Sequence, residues 1–351
     1  MALIGTINAS NDFGLKNRII NGAMVIDQRN AGAAVTADGA FAVDRFSLNE
    51  DTDGTYSAQR DTTAPAGFVN SLKWTTTTAD SSLAAGQYSG IAQQIEGFNV
   101  ADLGFGTASA SAITLSFWVR SSLTGTFGGS FRNSANNRSY PFTYTINAAN
   151  TFEYKTVTVA GDTSGTWLTD NSAGLKIHFG LGVGSTFSGT AGSWAGANYL
   201  SATGAVSVIG TLNATFYITG VQLEKGSTAT SFDYRPFGTE LALCQRYYET
   251  NFPPGVAVGS VSLPGFVSTN SSTNSPSEAS GVQFSVKKRA VPTIVIYHIT
   301  TGTAGSVYRV SDAASVAVTP THIGQSGIAF LALASSSANG YYWNYIASAE
   351  L

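Results

Sequence analysis

The stretch Ser111-Ala-Ile-Thr-Leu-Ser-Phe-Trp-Val-Arg120 decides the fold class, because apolar and polar side chains alternate along it with a period of two. Residues two apart lie on the same face of a β-strand. One face would therefore carry the apolar side chains of Ile113, Leu115, Phe117 and Val119. The other face would carry Thr114, Ser116, Trp118 and Arg120. The segment predicts a strand with one face in a hydrophobic core.

Several other segments show the same alternation or a similar composition. Leu175 to Val183 and residues 217–223 alternate in the same way, and residues 142–146 and 154–159 are β-branched and aromatic runs. Clusters of Gly, Asn, Asp and Ser separate them, and a helical period is almost absent. This pattern is typical of antiparallel sandwiches and jelly rolls. We therefore predict an all-β jelly-roll domain over residues 59–236.

One short helix is predicted after this domain, in a connector over residues 237–250. Thr239 can cap a helix that continues to Tyr248, because a threonine oxygen accepts hydrogen bonds from the first free amides. The apolar positions follow helical spacing at Leu241, Cys244 and Tyr248.

The remainder of the chain predicts a second, smaller β-sandwich over residues 251–351. Strands are expected at residues 282–286, 293–299 and 328–333, where β-branched residues are again frequent. A polar loop over residues 271–280 precedes them.

Residues 1–58 are too sparse in apolar side chains to form a core of their own, so they predict an extended N-terminal arm. This arm nevertheless has more apolar surface than a solvated tail should show. Burial against another subunit, or against another protein of the same assembly, would remove this apolar surface from water. Identical chains usually associate with closed symmetry. The residues predicted to dock or oligomerise are Leu3, Ile4, Ile19, Ile20, Met24 and Val25.

Composition excludes several classes of function. Charged residues make up 11% of the chain, against about 25% in average soluble domains. The net charge of −3 and the scattered Lys and Arg argue against nucleic-acid binding. No apolar run is long enough to cross a membrane, and no signal peptide is recognised. The single cysteine, Cys244, fits folding in a reducing cytoplasm without disulfides.

Neither a catalytic nor a metal-binding motif emerges from the sequence. Asp162 and Asp170 lie in a Gly/Ser/Thr loop, where aspartates usually accept hydrogen bonds from turn amides. One segment, Asp51-Thr-Asp-Gly-Thr55, begins like a calcium-binding loop, but its later positions do not fit the EF-hand pattern. A turn is the preferred interpretation of this segment, and a structural calcium ion remains an open alternative. The three histidines are too far apart in sequence for zinc-ligand spacing. We expect no cofactor, no metal and no enzyme activity.

A sugar-binding surface is the best candidate site. Sugars need a flat aromatic ring beside hydrogen-bonding groups, and two strands carry such groups on their polar faces. The candidate residues are Trp118, Arg120, Lys176 and His178. The alternative is that these faces are covered by the other sheet or by a neighbouring subunit. Tyr341, Tyr342, Trp343 and Tyr345 raise the same question near the C-terminus.

Four groups of segments, taken in order, resemble tail-fibre and related virion proteins of tailed phages, and the middle domain is similar to the jelly rolls of carbohydrate-binding modules. The match spans nearly the whole chain. The segments are Asn17 to Arg29 with Val43-Asp-Arg-Phe46, Thr215-Phe-Tyr-Ile-Thr-Gly-Val-Gln-Leu-Glu-Lys-Gly226, Leu243-Cys-Gln-Arg-Tyr-Tyr-Glu249, and Phe284 to Pro292 with Trp343 to Leu351.

This resemblance implies a virion component that is usually trimeric and attaches to host-surface glycans. The partners it implies are two further copies of the chain, other tail or capsid proteins held through the N-terminal arm, and a host glycan. A purely structural head fibre, decoration protein or baseplate component is the alternative. A capsule depolymerase is a third interpretation and would need two carboxylates across a sugar.

Overall fold

The computed structural model describes residues 16–271, 278–334 and 339–351 of the chain. It confirms the predicted all-β class, and the described residues contain one α-helix. The N-terminal part contains β1 Phe41–Val43, β2 Phe46–Asp51, β3 Thr55–Asp61, β4 Ser71–Thr78, β5 Tyr88–Glu96, β6 Ile113–Ser121, β7 Gly125–Arg132, β8 Ser139–Ile146, β9 Glu153–Val159, β10 Ala173–Val183, β11 Ser188–Gly189, β12 Ser201–Ala202 and β13 Thr215–Lys225.

Two antiparallel sheets form a sandwich in the N-terminal part. The six-stranded sheet has the order β1-β2-β5-β10-β7-β8, and the five-stranded sheet has the order β3-β4-β13-β6-β9. A short parallel pair, β11 and β12, lies outside them. The strands predicted from alternation are confirmed as β6, β10 and β13, and the aromatic runs as β8 and β9.

The core lies between the two sheets and is rich in aromatic rings. Phe117 of the five-stranded sheet contacts Phe179 and Tyr144 of the six-stranded sheet, with ring centroids 5.2 and 5.0 Å apart. Phe127 and Phe216 meet across the same space. Each fully buried ring of this kind contributes about 1.5–3 kcal/mol. The alternating pattern of β6 is therefore explained by one face in this core.

The predicted N-terminal arm is corrected by the structure. Strands β1 and β2 join the six-stranded sheet and β3 joins the five-stranded sheet, so the boundary predicted at residue 58 falls inside β3. The two sheets cannot be completed without residues 41–61. The first sandwich strand lies far ahead of the predicted start at residue 59.

Three of the apolar residues predicted to dock on a partner are buried within their own chain. Ile19 and Met24 lie in the sandwich core, and Ile20 packs against Cys244 and Tyr247. Val25 lies beside them but is half-buried and lines a surface pocket. Leu3 and Ile4 lie outside the described residues.

The helix α1 spans Phe237–Gln245, nine residues, and is too short to cross a membrane. It begins two residues before the predicted Thr239, because Pro236 occupies the N-cap position and no side chain caps the first turn. Proline has no N–H to leave unsatisfied, so it fits a helix start. The predicted last residue, Tyr248, begins the next strand instead.

The C-terminal part is one eight-stranded antiparallel arrangement around its last strand, β21 Gly340–Ser348. Its core contains Tyr341, Trp343 and Tyr345, which share the inner face of β21. The strands are β14 Tyr248–Thr250, β15 Val267–Asn270, β16 Glu278–Gln283, β17 Thr293–His298, β18 Ser306–Arg309, β19 Ser315–Gly324, β20 Gly327–Leu333 and β21 Gly340–Ser348. The strands predicted at residues 293–299 and 328–333 are confirmed as β17 and β20. The strand predicted at residues 282–286 is displaced, because β16 spans Glu278–Gln283 and begins inside the predicted polar loop.

Candidate functional site

An open groove of about 550 Å³ lies on the outer face of the five-stranded sheet. We call it the aromatic groove. Its floor and walls come from β6, β9, β13, the β3–β4 loop and the segment that follows β13. The lining residues are Phe68, Ser116, Trp118, Tyr154, Gly220, Ala229, Thr230, Ser231 and Phe232.

The strand pattern brings Trp118 and Tyr154 together. The two residues are cross-strand partners on β6 and β9, and their ring centroids are 5.5 Å apart. Trp118 is half-buried, whereas Tyr154 is 44% exposed. Because Phe117 and Val119 point into the core, Trp118 must point away from it. The sequence prediction that Trp118 faces outward is therefore correct.

Gly220 allows the rings to approach the backbone of β13. Its φ is +59°, in the left-handed region, and the register between β13 and β6 shifts beside it. A Cβ atom there would lie 2.6 Å from Phe68 Cζ and 3.0 Å from Trp118 Cδ1. Glycine meets both the conformational and the steric requirement. The bulge therefore shapes the floor of the aromatic groove.

The wall over residues 229–232 is held to the sheet by two polar side chains of β13. Gln222 donates from Nε2 to the Ser231 carbonyl at 3.2 Å and accepts the Asp233 amide at 2.7 Å. Glu224 accepts the Thr230 amide at 3.0 Å. Buried hydrogen bonds to a carboxylate are strong, so this wall is pre-formed. It positions Phe232 against Phe68, with ring centroids 5.1 Å apart.

Arg120 lies on the same face as Trp118 but outside the groove lining. Its guanidinium carbon is 4.9 Å from the centroid of the Tyr217 ring and 6.0 Å from that of Phe152. Tyr217 is its cross-strand partner on β13. The cation–π contacts occupy this guanidinium with neighbouring rings. Arg120 therefore supports the sheet surface beside the aromatic groove.

Lys176 and His178 do not belong to this site. They lie on the outer face of β10 in the six-stranded sheet, on the opposite side of the sandwich from Trp118 and Arg120. Alternation along a strand assigns a residue to a face, but it does not say which sheet that strand joins. The four predicted glycan-binding residues are therefore split between two surfaces.

His178 is fully buried beneath the segment around β11 and β12. Its Nδ1 lies 3.0 Å from the Leu200 carbonyl, so Nδ1 carries the proton and Nε2 is left as a buried acceptor without a partner. Burial, aided by the nearby Arg132 cation, lowers the pKa of His178 to about 3. Burial and Arg132 also lower the pKa of Lys176 to about 8. This face is covered, but the cover is the segment of the same chain around Leu200, and not the other sheet of the sandwich or a neighbouring subunit.

The other polar residues considered from sequence serve structural roles. Arg138 makes two hydrogen bonds to the buried carboxylate of Asp162. Burial raises the pKa of Cys244 well above its usual value. In residues 16–271, 278–334 and 339–351, no group of three or more His, Cys, Asp or Glu is placed to hold a metal ion.

Sequence reasoning missed most of the aromatic groove. Tyr154 was within a predicted strand and its alternation with Lys155 could have placed it outward. Phe68 and Phe232 lie in loops, where no periodicity indicates a direction. Their place beside Trp118 depends on chain pairing between residues far apart in sequence.

No protein-family profile matches the sequence, and no curated protein matches it significantly. Solved structures similar to this chain include the enzymatically active domain of tailspike protein 4 from bacteriophage CBA120, at 14% identity and a TM-score of 0.31. That match covers 60% of this chain and 21% of the tailspike chain.

Two further matches are to sugar-binding proteins. A putative sugar-binding protein from Bacteroides thetaiotaomicron matches at 12% identity and a TM-score of 0.33, over 60% of this chain and all of that one (100%). A family 11 carbohydrate-binding module from Clostridium thermocellum, solved with a β-1,3-1,4-mixed-linked tetrasaccharide, matches at 15% identity and a TM-score of 0.28, over 56% and 98%. Similarity at this level does not identify a function.

Proposed function

We propose that this chain binds carbohydrate in the aromatic groove. The observation that carries the proposal is the pair of outward-facing rings, Trp118 and Tyr154, beside an open groove edged by the exposed residues Thr230 and Ser231. Aromatic rings offer a flat apolar surface and hydroxyls offer hydrogen bonds. A sugar ring presents C–H groups on its faces and hydroxyls around its edge, so the two surfaces are complementary.

The ligand we propose is an uncharged glycan. The described residues that line the groove include no Asp, Glu, Lys, Arg or His. The charges behind the wall, Lys16 and Glu224, both hydrogen-bond to Thr230 and lie 4.0 Å from each other. A charged sugar would therefore lose hydration in the groove without gaining an uncommitted counter-charge. The same lining supports a binding role without catalysis, because glycoside hydrolysis uses two carboxylates across the scissile bond.

The biological setting we propose is attachment of a tailed phage to its host. The resemblance of the segments at residues 17–29, 215–226, 243–249 and 284–292 to tail-fibre proteins supports this setting. A trimer would place three grooves on one particle, and linked weak sites bind far more tightly than one site. The chain would then work as a receptor-binding part of the virion.

The test uses isothermal titration calorimetry with a panel of neutral oligosaccharides of glucose, galactose and N-acetylglucosamine. For a ligand that binds, Trp118→Ala should weaken affinity at least about tenfold, because truncating a central aromatic contact costs about 2 kcal/mol and tenfold corresponds to about 1.4 kcal/mol. The matched control is Phe98→Ala, which removes an aromatic ring that is 62% exposed outside the groove. Its affinity should equal that of the unchanged protein.

Two results would contradict the proposal. Equal affinity of the Trp118→Ala variant would place binding elsewhere. Absence of binding by any glycan at millimolar concentration would favour the purely structural alternative. Competition of purified protein with phage adsorption then separates a receptor-binding fibre from a decoration protein, because a structural component does not compete.

A further inference from the structure

A second row of aromatic rings lies on the outer face of the C-terminal sheet. Tyr342 of β21 has its ring centroid 4.4 Å from that of Phe266 and 6.1 Å from that of Tyr308 of β18. The rings of Tyr308 and Tyr342 are nearly parallel, with 12° between their planes. We call these three residues the aromatic row. It is separate from the aromatic groove, which belongs to the other sheet system.

Strand alternation explains why these rings face outward. Tyr341 and Trp343 are fully buried in the core, so Tyr342 between them points to the opposite face of β21. Tyr308 pairs directly with Tyr342, and Ser268 of β15 pairs with it on the other side. Phe266 precedes β15 and is 37% exposed. The row therefore crosses three neighbouring segments of one face.

Burial on this face is incomplete, and the groups around the rings are mostly uncharged and polar. Tyr308 and Tyr342 are half-buried. Ser268 and Asn270 of β15 and Ser315 of β19 are exposed beside them, and Ser315 pairs with Tyr308. Arg309, next to Tyr308 in β18, forms an ion pair with Asp312, with Nη2 and Oδ2 2.7 Å apart. The surface thus combines rings with hydroxyl and amide groups.

We propose that the aromatic row is a second carbohydrate contact of this chain. The inference rests on the proposed function for the ligand class, since the row repeats the chemistry of the aromatic groove: rings that are accessible on one side, and hydroxyls next to them. Asn270, Ser268 and Ser315 are exposed next to the rings and offer amide and hydroxyl groups to the hydroxyls of a sugar.

Two contacts on one chain change how a polysaccharide binds. Once a sugar unit occupies the aromatic groove, another part of the same polymer reaches the aromatic row at an effective concentration set by the linkage. Long polymers should therefore bind more tightly than short oligosaccharides of the same sugar. Short oligosaccharides should occupy the two surfaces independently.

Hydrogen exchange with mass spectrometry on the full chain separates the two surfaces. The probe is the neutral oligosaccharide of glucose, galactose or N-acetylglucosamine units that gives most protection. We expect protection at residues 266–270, 306–309 and 340–344 in addition to the groove strands. Trp118→Ala should retain protection at the row, and Tyr342→Ala should lose it there with at least about tenfold weaker binding at that surface. Phe330→Ala, at an exposed ring on β20, is the matched control and should change neither.

The outcomes distinguish the two proposals. Protection at the groove alone overturns the second contact and leaves the proposed function standing. Protection at the row alone overturns the groove and supports the second contact, and protection at neither surface overturns both. If Tyr342→Ala instead lowers the native mass measured by light scattering and leaves the protection by sugar unchanged, the row is a contact between copies of the chain and the inference is wrong.

Discussion

Trp118 and His178 occupy equivalent positions on their strands, yet only Trp118 reaches solvent. Each follows a core residue, Phe117 and Ile177 respectively, so both were correctly predicted to point away from the core. The difference arises from what covers each sheet. The segment around Leu200 lies over His178, whereas the groove stays open over Trp118. Strand periodicity contains no information about such covering segments.

His178 should make the protein sensitive to acid. The pKa of this imidazole is about 3 in the folded chain, against about 6.5 when unfolded. Between these values the unfolded chain binds one more proton, so the free energy of unfolding falls as pH falls from about 6.5 towards 3. Each pKa unit corresponds to about 1.4 kcal/mol, so the full effect is several kcal/mol. His178→Gln should flatten this dependence.

Urea unfolding at a series of pH values between 7 and 4.5, above the range in which most carboxylates titrate, measures the effect. His322→Gln is the control, because His322 is exposed and its replacement should leave the slope unchanged. An unaltered slope in the His178→Gln variant would show that another group controls the acid response. The comparison uses slopes, so a general loss of stability in either variant does not affect it.

At the scale of elements, the long strands were predictable and the short ones were not. β6, β10 and β13 have nine, eleven and eleven residues with clear alternation, so their existence follows from sequence. β1 has three residues, and β2 pairs with β5, some forty residues away. Short strands depend on partners supplied by tertiary structure. This explains why residues 41–58 were assigned to an arm.

The bulge in β13 is an element whose effect on the site is testable. Gly220→Ala should destabilise the protein by about 1–3 kcal/mol, because a side chain is added at positive φ and presses on Phe68 and Trp118. Movement of these rings should also weaken glycan binding. Gly204→Ala is the matched control, since Gly204 also has positive φ, +79°, but no atom lies within 4 Å of its Cβ position.

Chemical denaturation and calorimetric titration of both variants separate strain from contact. The Gly204→Ala variant should lose stability from backbone strain alone and keep full affinity. If Gly220→Ala binds sugar as tightly as the unchanged protein, then the bulge does not shape the binding surface. Equal stability losses in both variants would mean that Phe68 moves aside without cost.

In the whole molecule, most segments that carry the phage-fibre resemblance meet at the junction between the two β parts. Arg29 and Arg45 from the N-terminal part both contact the carboxylate of Glu350. Their guanidinium carbons lie 3.6 Å and 3.7 Å from the ring centroids of Tyr248 and Tyr247. In a chain with few charges, such concentration at one place indicates a fixed junction.

Two further ion pairs lie at or next to the junction. Arg246 of the connector makes two hydrogen bonds to the buried Glu96 of β5. Within the C-terminal part, Lys288 is fully buried against Glu249 and donates to the Gln245 carbonyl at the end of α1. Burial lowers the pKa of Lys288 although Glu249 acts in the opposite direction. Removing one partner from a buried pair leaves the other charge uncompensated, which costs several kcal/mol. The junction should therefore couple the unfolding of the two parts.

Glu350→Gln tests this coupling. Arg45 is 2% exposed in its side chain and would lose its carboxylate partner, so we expect a loss of roughly 3 kcal/mol. Differential scanning calorimetry should then resolve two transitions where the unchanged protein shows one, because the parts no longer unfold together.

Asp312→Asn is the control: it breaks the exposed pair with Arg309, which contributes little to stability. A single transition at an unchanged midpoint in Glu350→Gln would mean that apolar contacts such as Ile20 against Tyr247, and not the shared carboxylate, hold the two parts together.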